Sequence, residues 1–168
     1  MAITLALTGC ADDGKAAPPS AVPTTSPSLT PEKAVRAAYT AFWPNTLRAL
    51  TGPTEEIQPT LARYATGGYL VFQVKSTKES KELGRIPWGS GPVVRIVKVQ
   101  ITAGKATVRD CQDASQAGLA NSSTKQLIPG TRGTSRTGFK ADLERGSDGQ
   151  WRLSGLKRDT GACSLLRD

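Results

Sequence analysis

The sequence predicts an α+β domain in which helices pack on one face of a curved antiparallel sheet. Two observations carry this prediction. Before Gly84 the large apolar residues recur at helical spacing, and after Gly84 their period changes to two, with glycine turns between the segments. Helices followed by an antiparallel meander are typical of the α+β class. With 168 residues, the chain is long enough for one such domain with its own core, placed at residues 30–168.

The helical part starts at Thr30, which is predicted to be the N-cap, with Pro31 at the first helical position. Pro44 should kink or end this first helix, since proline cannot donate a backbone hydrogen bond. A second helix is expected from about Thr54, and Gly67–Gly68 should break it. Tyr69–Glu82 begins with strand-like residues, but its continuation in lysine and glutamate favours a third helix.

The strands follow Gly84. In the first, alternation places four residues on one face: Val93, Val97, Val99 and Ile101. A turn at Ala103–Gly104 leads to a second strand, Lys105–Cys111. Residues 119–133 are polar and rich in glycine, which predicts a long, mobile connection. Thr137–Arg145 and a last strand beginning at Trp151 then complete the meander.

The N-terminal residues bear on the cellular location of the protein. Residues 1–9 are mostly apolar, and Leu7-Thr8-Gly9-Cys10 resembles the lipobox of bacterial lipoproteins, in which the cysteine becomes a lipid-modified N-terminus. A secretory signal normally has a basic start and a longer apolar run, so residues 1–10 are interpreted as a truncated signal. The alternative is an ordinary disordered N-terminus with a chance cysteine. The resemblance implies an anchor at Cys10 on the outer face of the cytoplasmic membrane.

Residues 11–29 are rich in proline, serine, threonine and alanine. Such a segment buries too little apolar surface to offset the entropy of ordering, so we expect a disordered tether. It also resembles the segments that follow the lipidated cysteine in actinobacterial lipoproteins.

The chain has three cysteines. If Cys10 carries lipid, Cys111 and Cys163 remain as a pair, and a disulfide between them suits an exported protein. The alternative is two buried free thiols in a cytosolic protein.

Several segments resemble the nuclear transport factor 2-like superfamily, specifically its extracytoplasmic lipoprotein members in actinobacteria. They are Pro31–Tyr39 followed by Phe42-Trp43, then residues 61–66, residues 106–113 and residues 148–153. The resemblance implies a cone formed by a curved sheet around a long helix. It leaves function open, since the superfamily contains isomerases, dehydratases and non-catalytic binding domains.

The absence of histidine excludes histidine triads and imidazole metal sites, and we predict neither a metal site nor a cofactor. The resemblance leaves one catalytic candidate, Asp110 as general base with the hydroxyl of Tyr39 or Tyr64 as donor. Alternation puts Asp110 on the face of Ala106 and Val108. The competing interpretation, which we favour, is an aspartate that is solvated or paired with arginine.

The aromatic residues allow two interpretations. Tyr39, Trp43 and Tyr64 could line a ligand pocket, but an aromatic stripe at helical spacing more often belongs to a core. We expect Tyr39, Phe42 and Trp43 to fill most of the cone. Trp88 lies in a segment expected to be flexible and is a candidate for ligand or partner contact.

The net charge is +8, from 22 basic and 14 acidic residues. No sequence motif for nucleic-acid binding accompanies this charge, so no nucleic-acid partner is expected. The favoured function is a lipid-anchored, extracytoplasmic, non-catalytic domain that binds an envelope protein or a small apolar ligand. The alternative is an isomerase or dehydratase that uses Asp110.

Overall fold

The structure is a computed structural model that describes residues 29–166. The predicted signal with Cys10, and the tether up to residue 28, lie outside the described residues.

Three α-helices form the first half of the domain. They are α1 at Pro31–Thr51, α2 at Ile57–Ala62 and α3 at Gly67–Glu82, with a short 3₁₀ turn at Thr54–Glu56 before α2. Thr30 caps α1 as predicted, because its hydroxyl accepts a hydrogen bond from the backbone N–H of Lys33. The sequence predicted that Pro44 would kink or end this helix. The second outcome is wrong, since α1 continues seven residues beyond Pro44. Packing of both halves of α1 against the rest of the domain outweighs the missing backbone donor.

Four strands form an antiparallel meander, in which each pairs with the next one named. They are β2 at Val93–Thr102, β3 at Lys105–Asp113, β5 at Thr137–Arg145 and β6 at Trp151–Arg158. The α+β prediction is therefore confirmed, with three helices packed on one face of a curved antiparallel sheet.

The inner face predicted for β2 was wrong for Val93 and right for Val99. A β-bulge lies between Ile96 and Lys98, so the alternation changes phase at Val97. The residues of β2 that contact the core are Val94, Ile96 and Val99. Val93 and Ile101, predicted to face inward, are among the exposed apolar side chains.

A second, two-stranded sheet was not predicted. Arg85–Gly89 (β1) pairs antiparallel with Ala117–Asn121 (β4), and Ala120 also bridges to Leu127. The segment interpreted as a mobile connection therefore contains a strand, and Trp88 lies in a strand rather than in a flexible segment. The sequence of β4 is Ala-Gly-Leu-Ala-Asn, which has low strand propensity, so distant pairing determines its conformation.

The core lies between α1 and the four-stranded sheet. Tyr39 and Phe42 are its largest helical side chains, and both are fully buried against Val108, Leu143 and Leu153. Trp43 is only half-buried at its edge. Tyr39 and Phe42 therefore fill the core as predicted, whereas Trp43, which was predicted to do the same, contributes less.

The predicted disulfide between Cys111 and Cys163 is confirmed. Cys111 lies on the face of β3 opposite the helices, and Cys163 begins a 3₁₀ turn at Cys163–Leu165. The bond joins the C-terminal segment to the middle of the sheet. Arg136 supports the same segment by donating a hydrogen bond from Nη2 to the carbonyl of Cys163.

Candidate functional site

Asp110 is completely buried, which corrects the expectation that it is solvated or paired with arginine. It lies on β3 between Val108 and Gln112, with its side chain on the helix-covered face of the sheet. The neighbouring Arg109 points to the opposite face and binds Asp159 instead, with Nη2 3.0 Å from Oδ1. Alternation along the strand, which the sequence did show, separates the two side chains.

Asp110 contacts two polar side chains in the core. Gln112 donates from Nε2 to Oδ2 of Asp110 over 2.7 Å, and the same nitrogen lies 3.4 Å from the hydroxyl of Tyr39. Oδ1 of Asp110 has no hydrogen-bond partner within residues 29–166. Gln112 was missed in the sequence, although its position two residues after Asp110 places both on one face.

Burial controls the ionisation of this cluster. It raises the pKa of Asp110 from its ordinary 3.8 to about 6, although hydrogen bonds from Gln112 and Tyr39 act in the opposite direction. Burial also raises the pKa of Tyr39, with a further contribution from the charge of Asp110. Tyr39 therefore remains protonated at neutral pH and can donate a hydrogen bond to the carboxylate.

The Asp110–Tyr39 pair has the groups for proton transfer, but it lies in a packed region. Both side chains have no exposed surface, and neither lines any of the three grooves described for residues 29–166. Tyr64, the other predicted donor, does not join this cluster. A substrate would need an opening of the core to reach Asp110.

Tyr64 instead lines an open groove of about 640 Å³, which we call the α1 groove. Its floor consists of alanines of α1, and its walls are the end of α2 and the turn between β5 and β6. The full lining is Leu29, Pro31, Ala34, Ala37, Ala38, Ala41, Arg63, Tyr64, Arg145, Gly149, Gln150 and Trp151. The two charged residues among these are both arginines, so the groove combines an alanine floor with a positive rim.

Backbone pairing positions Tyr64 beside the last strand. The N–H of Leu153 donates to the carbonyl of Tyr64 over 2.8 Å, and Ala65 forms a parallel bridge with Leu153. Arg152 adds a hydrogen bond from Nε to the carbonyl of Ala62. These contacts hold the end of α2 against β6 and keep the groove open between them and α1.

The two tryptophans predicted as candidates for ligand or partner contact, Trp88 and Trp43, lie in different environments. Trp88 is half-buried, and the guanidinium of Arg132 lies 5.6 Å from its ring centre. Trp43 packs edge-on against Phe42, and its Nε1 is buried without a hydrogen-bond partner among the described residues. Trp43 also packs edge-on against Tyr39, with ring centres 6.0 Å apart, and so borders the Asp110 cluster without a hydrogen bond to it.

Helix α3 carries an exposed apolar patch that was not predicted. Val71 is 69% exposed and Phe72 is 61% exposed. They adjoin a second groove of about 500 Å³, lined by α3 and Gln58 of α2. The helix has little amphipathic pattern in sequence, which is why the patch could not be assigned to a face.

No cluster of three or more histidine, cysteine, aspartate or glutamate side chains that could hold a metal occurs in the part of the chain that the structure describes. Among the described helices, none is long and apolar enough to cross a bilayer.

Comparison with solved structures shows the fold. The intermembrane space region of chloroplast protein ARC6 is 14% identical, with a TM-score of 0.56 over 79% of this chain and 98% of that chain. A conserved protein from Planctomyces limnophilus is 11% identical, with a TM-score of 0.49 over 74% of this chain and 91% of that chain. A ketosteroid isomerase-like protein from Erwinia carotovora atroseptica is 15% identical, with a TM-score of 0.46 over 76% and 95%.

No protein-family model matches the chain, and comparison with curated proteins finds no match. The likeness to solved structures therefore concerns the fold alone, in which three helices pack on one face of a curved antiparallel sheet.

Proposed function

We propose that this protein is a lipoprotein of the actinobacterial type, anchored through Cys10 to the outer face of the cytoplasmic membrane. Its domain binds a small apolar ligand with an anionic group in the α1 groove and does not catalyse a reaction. Two features support the location. They are the lipobox-like segment ending at Cys10 and the disulfide between Cys111 and Cys163, a bond typical of oxidising compartments.

The observation that carries the binding function is the contrast between the closed interior and the open groove. Asp110 and Tyr39 have no exposed surface, whereas the α1 groove is open and within the volume range of ligand sites. Its alanine floor admits an apolar body. Arg63 and Arg145 favour an anionic head, since no acidic residue lines the groove.

A fluorescence titration tests this binding. The probe is anilinonaphthalene sulfonate, which has an apolar ring system and one negative charge. We expect Arg63→Gln and Tyr64→Ala to weaken its binding to the full chain. Phe72→Ala is the matched control, because it removes an exposed aromatic side chain outside the groove. Loss of binding in Phe72→Ala with no change in Tyr64→Ala would place the site on α3 and refute the proposal.

A separate fractionation experiment tests the anchor. The chain is expressed behind a complete lipoprotein signal, and cells are extracted with detergent. Wild-type protein should partition into the detergent phase, and Cys10→Ser should be released. Equal partitioning of the two forms would exclude lipidation at Cys10.

A second candidate function is the isomerase or dehydratase chemistry of Asp110. The observation in its favour is a buried carboxyl with a raised pKa beside the Tyr39 hydroxyl, since such groups cluster at functional sites. This function needs a conformation in which the core opens between α1 and β3. Faster hydrogen exchange at the backbone N–H of Asp110 than at the equally buried Leu143 would support such opening.

A further inference from the structure

The strand register aligns four basic side chains across the sheet. Lys98 of β2 is paired with Arg109 of β3, Arg109 with Lys140 of β5, and Lys140 with Lys157 of β6. Directly paired residues project on the same face. These four, which we call the basic row, lie on the face opposite the helices, because Val108 and Ala141 beside them are buried in the core.

The basic row has little compensation from acidic groups. Arg109 is paired with Asp159, but in residues 29–166 no carboxylate lies within 4 Å of the ammonium groups of Lys98, Lys140 or Lys157. The positive charge of Lys140 also contributes, at longer range, to lowering the pKa of Asp159. Like charges on directly opposite strand positions destabilise a sheet. The row is therefore unfavourable for folding by itself.

The neighbouring rows add little negative charge. On one side, the outward residues Gln100, Thr107, Asp142 and Gly155 contain one acid, and Asp142 accepts a hydrogen bond from Thr107. On the other side, Arg95 is paired with Cys111, and Cys111 with Gly138. In these three rows basic side chains therefore outnumber acidic ones.

The shape of this surface indicates the class of partner. Strands lie about 4.8 Å apart, so the basic row spans roughly 14 Å of sheet surface. None of the three grooves described for the domain is lined by a residue of the row, which disfavours a small enclosed anion. The adjoining outward positions carry no aromatic side chain on which bases could stack, which disfavours nucleic acid.

We propose that the basic row is a docking surface for a membrane of anionic phospholipids. This inference rests on the proposed function, because it takes the chain to be anchored to a membrane through Cys10. A tether of some twenty residues can reach up to about 60 Å, and it would keep the sheet face at high local concentration near the bilayer. Under that condition a weak electrostatic contact suffices to orient the domain.

Vesicle co-sedimentation tests the surface without the anchor. The full chain carries Cys10→Ser, so that no lipid is attached, and is mixed with vesicles of phosphatidylglycerol and phosphatidylcholine. We compare it with the same chain bearing Lys98→Gln, Lys140→Gln and Lys157→Gln. Each cation near an anionic membrane strengthens binding roughly fivefold, so the triple variant should bind about 100-fold more weakly. Arg109 is kept, because its pairing with Asp159 stabilises the sheet.

The matched control removes the same charge elsewhere, with Lys33→Gln, Lys78→Gln and Lys125→Gln. All three lysines are exposed and lie away from the basic row. The control should bind like the parent chain, and salt should weaken both, since screening acts over about 8 Å at physiological ionic strength. Thermal unfolding of each variant verifies that it is folded.

Three results would overturn the proposal: equal weakening in the two triple variants, equal binding of the parent to pure phosphatidylcholine, or binding to soluble polyphosphate but not to vesicles. The last would assign the row to a soluble polyanion. Because the assay uses Cys10→Ser, its failure is separate from failure of the lipid anchor, which is measured by detergent partitioning in cells.

Discussion

Replacement of Asp110 by asparagine should stabilise the protein at neutral pH. Asparagine has nearly the same size and shape as aspartate, and its carbonyl can still accept the hydrogen bond from Gln112. It carries no charge, so the cost of burying an ionised carboxylate next to Tyr39 is removed.

The size and pH range of this effect follow from the pKa of Asp110. Its value is 3.8 in an ordinary environment and about 6 in the fold. Below about pH 4 the carboxyl is protonated in both states. Between pH 4 and 6 the folded state retains a proton that the unfolded state has lost, so the free energy of unfolding decreases as pH rises. About two pKa units correspond to roughly 3 kcal/mol, which is fully lost above pH 6.

Urea unfolding of the wild type and Asp110→Asn at pH 3, 5 and 8 measures the effect. The difference in unfolding free energy should change by about 3 kcal/mol in favour of the variant between pH 3 and pH 8. Other acids, such as Asp148 with a pKa lowered to about 2 by Arg152, contribute equally to both proteins and cancel. A difference that is constant with pH, or a variant that becomes relatively less stable at pH 8, would refute the burial argument.

Three further changes test the fold. Joint replacement of Cys111 and Cys163 by alanine opens a loop with a sequence separation of 52 residues. It should lower the free energy of unfolding by about 4 kcal/mol relative to the oxidised wild type. Equal stability of the two proteins would show that the disulfide does not constrain the chain. Phe42→Ala removes a side chain that is 1% exposed and should cost about 3–5 kcal/mol in urea unfolding, and a cost below about 1 kcal/mol would contradict its place in the core. Gly89→Ala would bring a Cβ into steric overlap with the carbonyl oxygen of Gln116. It should lower the melting temperature more than Gly104→Ala, where φ is also positive but no atom lies within 4 Å. The reverse order would contradict the close approach of β1 to the residue before β4.

Much of the fold is encoded locally and was predicted. Thr30 and Pro31 mark the start of α1 by capping chemistry, and the period of two marks the strands of the meander. The pairing of Cys111 with Cys163 was favoured by counting cysteines. Each of these signals depends on neighbouring residues or on composition, which the sequence displays directly.

The tertiary structure decided the features that depend on distant contacts. The bulge between Ile96 and Lys98 put the first residues of β2 out of phase with the predicted alternation. The pairing of β1 with β4 ordered a segment whose composition predicts a loop. Sequence alternation placed Asp110 on the inner face. Only the packing of α1 over β3 showed that its carboxyl is sealed beside Tyr39.

The candidate functional residues also divide into what the sequence identified and what only the structure showed. Sequence alone identified Cys10, Asp110 and Tyr64 as candidates by residue type, and it established the net positive charge. It could not place Tyr64 in the α1 groove or align Lys98 with Lys157, because grooves and cross-strand rows are formed by residues far apart in the chain. Local propensity and composition act within a few residues, whereas side-chain neighbours across a sheet depend on register, and register is determined only when the whole core packs.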